Sequence, residues 1–301
     1  VLRAMHELDP SRSVILNDGF VGRGAAQAMF LPYDDHYYRS DVEPAGGWWV
    51  NHQGAGDQWY DKFYADKEHF IHRQTMPGAI VEFGEMEGCA VGDNHARMIA
   101  DIRRHGGKSY DLEDHVAIAN GAAAFLDKWG FRQAFPSAES YFLAVGKKQY
   151  DAWQNYLENI RICDEVDMAA ISGWESTAIE NHSGIVDNLR YFHADPELLR
   201  LSLLPVRPVA KQRKLAYAVG EVAEVDIWLL NDTGQTVAGE LALSLVDPSG
   251  HVASVAHYAA PANTANQFSY LLAEKVALPA FATEGKHTIR LELSGRSDLT
   301  F

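Results

Sequence analysis

The sequence of 301 residues has little cysteine and a shortage of basic residues. Its 2 cysteines, Cys89 and Cys163, lie far apart and belong to no Cys-x-x-Cys pair, which excludes a disulfide framework and a zinc motif of that kind. Lys and Arg number 26 against 41 Asp and Glu, so the formal net charge is -15. Because nucleic acids bind basic surfaces, this charge argues against a nucleic-acid partner and favours neutral or cationic ones.

Long apolar runs are also missing. No stretch approaches the ~20 apolar residues that a membrane-spanning helix needs, so we expect no membrane span. No basic segment leads into an apolar one at the beginning, so no signal peptide is visible. Because the sequence starts without Met and inside a predicted helix, we expect that Val1 is not the native start. The localisation stays unknown, and secretion or a periplasmic location is compatible with the sequence.

The composition that is present is that of a globular protein. Hydrophobic residues make up 47% and charged residues 22%, and the length is enough for two ordinary domains. Aromatic residues make up 11%, including 7 Trp. That number is enough to line a groove for a sugar or an aromatic ligand, and it is equally enough for a large core.

The first two thirds of the sequence alternate between helical and strand patterns. We predict a helix from residue 1 that ends before Pro10, strands at 13–16, 28–31 and 79–82, helices at 112–129 and 137–163, and a strand that starts at 168. Polar residues follow most of these strands, a pattern typical of a (β/α) barrel or a doubly wound sheet. A long irregular segment is predicted at 39–74. It contains Trp48, Trp49 and His52, and loops of this length are usually functional.

The pattern of predicted secondary structure changes after about residue 203. Short alternating strands are predicted at 222–230, 240–246, 267–272 and 287–293, with turn signals between them. This spacing is typical of an immunoglobulin-like β-sandwich. We therefore predict an α/β plus all-β chain with two domains, 1–202 and 203–301.

One stretch, residues 78–88, carries the strongest chemical signal. An apolar run ends in Glu82, and Glu85 and Glu87 follow among glycines. A buried strand that ends in a carboxylate and is followed by flexible backbone presents a catalytic acid at the mouth of a barrel. The alternative is a plain strand followed by a solvated acidic loop.

Several short motifs, taken in order, resemble the C-terminal half of glycoside hydrolase family 2, the family of β-galactosidases, β-glucuronidases and β-mannosidases. The segment 6–12 is similar to the one after that family's acid/base strand, 80–84 (IVEFG) to its seventh strand, and 171–174 (ISGW) to its eighth. The segment 219–227 resembles a sandwich domain that follows the barrel in many members. The resemblance covers most of the chain and implies a partial TIM (β/α)8 barrel followed by the sandwich.

The resemblance implies roles for individual residues. Glu82 matches the family's nucleophile, and Trp174 matches the tryptophan that forms the floor of the sugar subsite. The family's Asn-Glu pair, which supplies the acid/base, belongs to a strand upstream of anything in this sequence. Glu175 follows Trp174 where the family usually has a neutral residue, which affects the identity of the substrate.

A retaining glycosidase needs a nucleophilic carboxylate and an acid/base carboxyl group about 5–5.5 Å apart. Glu82 suits the first role, with Glu85 and Glu87 as the other candidates. Tyr37, after the predicted strand at 28–31, is expected to donate a hydrogen bond that keeps Glu82 ionised. The predicted substrate-binding residues are Trp174, Glu175, His36, Trp48, Trp49, His52, Glu85 and Asn17.

Three further polar residues, Asp93, Asn94 and His95, are of the kind that recognises sugar hydroxyls. Their spacing also suggests metal ligands, but no second ligand pair stands at a matching spacing, so we expect no metal. We also expect no cofactor.

The sequence therefore predicts a retaining β-glycosidase, β-galactosidase-like, that acts on β-linked carbohydrate. The alternative is a truncated module that binds carbohydrate in an aromatic groove without cleaving it. Because half a barrel exposes strand edges, we expect the chain to be part of a longer one or to form a homo-oligomer.

Overall fold

The computed structural model describes residues 1–15, 26–27, 29–37, 48–53, 80–86, 93–176 and 184–296. In the part before the first long helices, the elements are α1 (Leu2–Leu8), β1 (Val14–Ile15), β2 (Ala26–Gln27), β3 (Met29–Phe30), β4 (Trp48–Gln53) and β5 (Ile80–Met86). The helix predicted before Pro10 and the predicted strand that carries Glu82 are confirmed.

The first two predicted strands pair with each other instead of joining a parallel sheet. β1 and β3 form a separate antiparallel pair in which Val14 lies opposite Phe30. We expected both to be successive parallel strands of a barrel, and that expectation was wrong. The strands are only two residues long, and the sequence predicts no helix between them, although a parallel pair usually needs a helical crossover.

Three parallel strands form the centre of the fold. β6 (Met168–Ile171) follows the helices, and the four-stranded sheet has the order β2-β4-β5-β6, with β2 antiparallel to β4 and the other neighbours parallel. The segment 48–53 was predicted as irregular, but it forms β4. The two glycines before Trp48 suggested a loop, whereas the aromatic and β-branched residues that follow favour a strand.

The described residues of the crossover from β5 to β6 form three α-helices: α2 (His95–Arg104), α3 (Leu112–Lys128) and α4 (Ala138–Ile162). The predicted ends of α3 and α4 are confirmed. Gly130, just beyond α3, has a φ of 72°, and the side chains and backbones of Ser137 and Ser140 form a capping box at the start of α4. Among the described residues, no helix is long and apolar enough to span a bilayer.

The last third of the chain forms two packed antiparallel sheets. A short helix, α5 (Glu197–Ser202), precedes β7 (Val206–Gln212), β8 (Glu224–Asn231), β9 (Glu240–Val246), β10 (Val252–Ala259), β11 (Ser269–Ala277) and β12 (Thr288–Leu293). The strand orders are β11-β8-β7 and β10-β9-β12. Alternate residues of β8 and β9, among them Val225, Ile227, Leu241 and Leu243, share one core. The four strands predicted in this part are confirmed, three with small shifts at their ends, whereas β11 continues to Ala277, beyond its predicted end at 272.

Helix α4 packs directly on the sandwich through a buried polar interface. The Arg207 guanidinium donates to Glu158 through Nε at 3.0 Å and also through Nη2. The Lys211 ammonium contacts the side-chain oxygen of Asn159. At the end of α4, Ser269 Oγ donates to the Ile162 carbonyl at 2.7 Å. These contacts fix one face of the sandwich against the last turns of α4.

Lys211 gives this interface a dependence on pH. Burial lowers the pKa of Lys211 from 10.5 to about 8. Between these two values the unfolded chain binds more protons than the folded one, so the cost of burying the ammonium is full below about pH 8 and disappears as the pH rises towards 10.5. We expect the free energy of unfolding of the wild type, minus that of Lys211→Met, to rise by about 2–3 kcal/mol across this range in urea titrations. A difference that is flat with pH would show that Lys211 is not buried as a cation, and the exposed-lysine variant Lys147→Met serves as the control.

Candidate functional site

Glu82 lies in the central strand of the three parallel ones. It is opposite Val50 of β4 and Met168 of β6. Its neighbours Val81 and Phe83 are 1% and 0% exposed, whereas Glu82 is half-buried. Because successive residues of a strand point to opposite faces, Val81 and Phe83 lie on the buried face and Glu82 on the other. The carboxylate is thus held by the most constrained strand of the sheet.

Four other predicted site residues belong to the same pair of strands. In the register of β4 and β5, Trp48 lies opposite Ile80, Trp49 opposite Val81, and His52 opposite Glu85. The structure therefore brings His52 and Glu85 to adjacent positions near the carboxyl ends of their strands. A register shift between Val50 and His52 separates that pair from Glu82. Glu87 lies outside the described residues.

Trp174 and Glu175 follow β6, the strand adjacent and parallel to β5. Trp174 is 58% exposed, as a platform for a ligand must be. Glu175 is half-buried, and its carboxylate forms an ion pair with the Arg190 guanidinium. Because the carboxyl ends of parallel strands lie along one edge of a sheet, both residues follow the strand end next to that of β5.

His36 and Tyr37 follow β3 and therefore do not end a strand of the four-stranded sheet. This corrects their predicted position, because the strand before them pairs with β1. The His36 amide donates to Asp34 Oδ1 at 2.9 Å, and the Tyr37 ring packs 4.8 Å from that of Phe30. The role of Tyr37 beside Glu82 stays a prediction. Asn17 lies outside the described residues.

Asp93, Asn94 and His95 are not the open loop residues that we predicted. They are 0%, 6% and 0% exposed, so a sugar cannot reach their side chains in this structure. Asn94 caps α2 by accepting from the Arg97 amide at 3.1 Å. His95 Nδ1 lies 2.8 Å from His115 Nδ1, which makes its ring part of the packing between α2 and α3.

Asp111 completes that buried group. Its Oδ2 lies 3.2 Å from His115 Nε2. Burial acts to raise the pKa of Asp111, but hydrogen bonding from Ser109 and the charge of His115 outweigh it and leave the pKa below its ordinary value. The carboxylate therefore stays charged beside the two histidines.

A second buried group joins three residues that sequence reasoning did not connect. Asp93 Oδ1 accepts from Ser176 Oγ at 2.7 Å and lies 2.8 Å from His193 Nε2. The three residues come from the start of α2, from the chain after β6 and from the segment before α5. No local pattern signals such a contact, because Asp93 and His193 are 100 positions apart.

Comparisons with known proteins leave the family open. No protein-family model matches the sequence, and neither does any curated protein. Among solved structures, the chain is similar to a β-D-mannosidase from Dictyoglomus thermophilum, with 14% identity and a TM-score of 0.44 over 81% of this chain and 28% of that one. The chain thus spans less than a third of that protein's length. A likeness this distant supports neither a shared family nor a shared activity.

Proposed function

We propose that this chain is the C-terminal part of a glycoside hydrolase of the family 2 type, a retaining β-glycosidase that is β-galactosidase-like. The observation that carries the proposal is the placement of Glu82, half-buried at the centre of three parallel strands, beside the strand that leads to the exposed Trp174. Glu82 is the nucleophile. The proposal includes a partial (β/α)8 barrel in 1–202 and an immunoglobulin-like sandwich in 203–301.

The reaction is a double displacement. The Glu82 carboxylate attacks the anomeric carbon, and the bond to the leaving oxygen breaks as that oxygen receives a proton. A water molecule then attacks the glycosyl-enzyme ester and restores the carboxylate. The resemblance places the group that moves both protons, an acid/base Glu, upstream of this sequence. The edge position of β6 within the described four-stranded sheet supports this part of the proposal, because an edge strand can pair with further strands.

The remaining candidates bind the substrate. Trp174 offers its ring face to the C–H face of a sugar, and Glu175, held by Arg190, accepts from sugar hydroxyls through the oxygen that the ion pair leaves free for a second bond. Tyr37 orients Glu82. The other proposed hydroxyl and stacking contacts are His36, His52, Glu85, Trp48, Trp49 and Asn17.

Trp174→Ala is expected to weaken the binding of 4-nitrophenyl β-D-galactopyranoside about tenfold, because a sugar loses its stacking platform. The chain offers a matched control, since Trp129 is also 58% exposed but lies at the end of α3. Isothermal titration should show no change of affinity for Trp129→Ala. Equal losses in the two variants, or none in either, would contradict the role of Trp174.

A second candidate function is a carbohydrate-binding module without catalysis. It is favoured by the ion pair between Arg190 and Glu175, which engages the carboxylate that directly follows Trp174. Incubation of the chain with 4-nitrophenyl β-glycosides separates the two functions. Release of nitrophenol supports the enzyme, and saturable binding without release supports the module.

A further inference from the structure

The chain after β6 folds back on itself through backbone hydrogen bonds. The Trp174 carbonyl oxygen accepts from the amides of Ile185 and Val186, both at 3.0 Å. The Ser176 amide donates to the Val186 carbonyl at 2.9 Å. Residues 172–176 and 184–193 thus form one unit, which we call the post-β6 segment.

Gly184 lets the two pieces of this segment approach each other. Its φ is +105°, and a Cβ atom there would lie 2.3 Å from the backbone nitrogen of Ser176. No side chain fits into that distance. The position of Ser176, and with it that of Glu175, is therefore coupled to the position of Gly184.

A buried aspartate fixes both pieces to the start of α2. Asp93 is 0% exposed, and its Oδ1 accepts from Ser176 Oγ at 2.7 Å. The same oxygen lies 2.8 Å from His193 Nε2, while His193 Nδ1 lies 2.8 Å from the Gly184 carbonyl oxygen. Asp93 therefore holds one piece directly through Ser176 and the other through His193.

The hydrogen bonds determine where the protons of this pair lie. A carbonyl oxygen can only accept, so His193 Nδ1 must carry a proton. One further proton then lies between His193 Nε2 and Asp93 Oδ1, either on the ring as an imidazolium or on the carboxyl group. Without it, a lone pair would face a carboxylate in a site that excludes water, which is costly.

An ion pair with the first turn of α2 holds the post-β6 segment at a second point. Arg97 Nη2 donates to Asp187 Oδ2 at 2.7 Å, and the guanidinium lies 4.1 Å from the centre of the Tyr191 ring. Asp187 Oδ1 accepts from the amides of Leu189 and Tyr191 at 2.9 and 3.0 Å. These contacts set the shape of residues 187–191, whereas the Asp93–His193 pair acts on the residues beside Trp174.

We propose that Asp93 and His193 are positioning residues for Trp174 and Glu175. They fix Ser176, which adjoins Glu175, and Gly184, which adjoins the amides that hold the Trp174 carbonyl. The inference rests on the proposed function, since it assigns a role to these residues at the same carbohydrate site. It adds a buried proton-sharing pair that no pattern in the sequence indicates.

Fluorine NMR of the chain labelled with 5-fluorotryptophan tests the positioning without any ligand. Of the 7 tryptophan signals, the one that Trp174→Phe removes belongs to Trp174. His193→Ala is expected to shift and broaden that signal and to leave the Trp129 signal in place. Asp93→Asn is expected to keep it near its native position, because an amide nitrogen in the place of Oδ1 can donate one hydrogen to a neutral Nε2 and the other to Ser176 Oγ.

Affinity for 4-nitrophenyl β-D-galactopyranoside supplies the second readout. We expect about a tenfold loss in His193→Ala and a nearly native value in Asp93→Asn. Asp226→Asn, a change at an equally buried paired aspartate of β8, controls for general loss of stability and should alter neither readout. If His193→Ala does not fold, Ser176→Ala should still shift the Trp174 signal, by a smaller amount.

The outcomes separate the two proposals. An unmoved Trp174 signal in the folded His193→Ala and Ser176→Ala variants overturns the positioning role, whether or not the glycoside binds. An Asp93→Asn variant as disturbed as His193→Ala overturns the proton-sharing pair, because an amide of the same shape should replace the shared proton at these contacts. If the Trp174 signal shifts in these variants but the wild-type chain binds no glycoside, the positioning of Trp174 stands and the proposed function is rejected.

Discussion

Glu82→Gln is expected to slow the release of 2,4-dinitrophenolate from 2,4-dinitrophenyl β-D-galactopyranoside by about a thousandfold or more. An amide oxygen is a far weaker nucleophile than a carboxylate, so no glycosyl-enzyme forms. The two side chains have the same shape, and Glu82 is half-buried in β5, so the variant should keep the fold. Dinitrophenolate leaves without a proton, and the rate of its initial burst therefore reports on the nucleophile even if the acid/base Glu is absent.

Glu85→Gln is the matched control, because Glu85 lies in the same strand three positions further on. We expect its rate to fall less than tenfold, as for a residue that contacts hydroxyl groups. A larger loss of rate for Glu85→Gln than for Glu82→Gln would identify Glu85 as the nucleophile. An unchanged rate in Glu82→Gln would reject our choice of nucleophile altogether.

The second large effect is on stability. Glu158→Gln is expected to lower the free energy of unfolding by about 3 kcal/mol, because it leaves the Arg207 guanidinium buried without its anionic partner. Arg207 is 4% exposed and donates to Glu158 through Nε at 3.0 Å. Nη1 also donates to the Leu201 carbonyl at 2.8 Å, and a neutral carbonyl does not balance the positive charge. Urea titration at pH 7 measures the loss.

Asp151→Asn on the same helix supplies the comparison. The Lys147–Asp151 pair has N–O distances of 2.7 and 2.8 Å but is solvent-exposed, so its loss should cost less than about 1 kcal/mol. Similar costs for the two variants would show that solvent reaches the Glu158–Arg207 pair and that the interface between α4 and the sandwich is not closed.

The elements that sequence patterns predicted well are those with local signals. The end of α3 at Gly130 and the start of α4 at Ser137 follow from a left-handed turn and from a capping box, both within four residues. β9 and β12 follow from short apolar alternation between turns. In each case the residues that decide the structure are neighbours in the sequence.

The features that were missed depend on distant contacts. β4 becomes a strand because β5 supplies its partner from residue 80 onward, and β1 finds its partner in β3, which begins only at Met29. The burial of Asp93 follows from contacts with Ser176 and His193, which lie 83 and 100 positions away. A polar residue between a strand and a helix looks the same in the sequence whether it faces a ligand or a buried partner.

The candidate site also combines features that have a local sequence signal with features that depend on distant contacts. Glu82 could be chosen from its place at the end of an apolar run, and its position in a central strand agrees with that choice. The pairing of Glu175 with Arg190 could not be foreseen, because it depends on how the chain returns after β6. Ion pairs of this kind decide whether a carboxylate is available for chemistry.

The most direct test of the central claim is covalent trapping with 2-deoxy-2-fluoro-β-D-galactosyl fluoride. Fluoride leaves without protonation, and the fluorine at C2 slows the hydrolysis of the glycosyl-enzyme, so the nucleophile keeps its label. Mass spectrometry of the digested protein should find one fluorosugar on the peptide that contains residues 80–84, attached to Glu82. A label on Glu85, or no label on a chain that releases dinitrophenolate, would contradict the account.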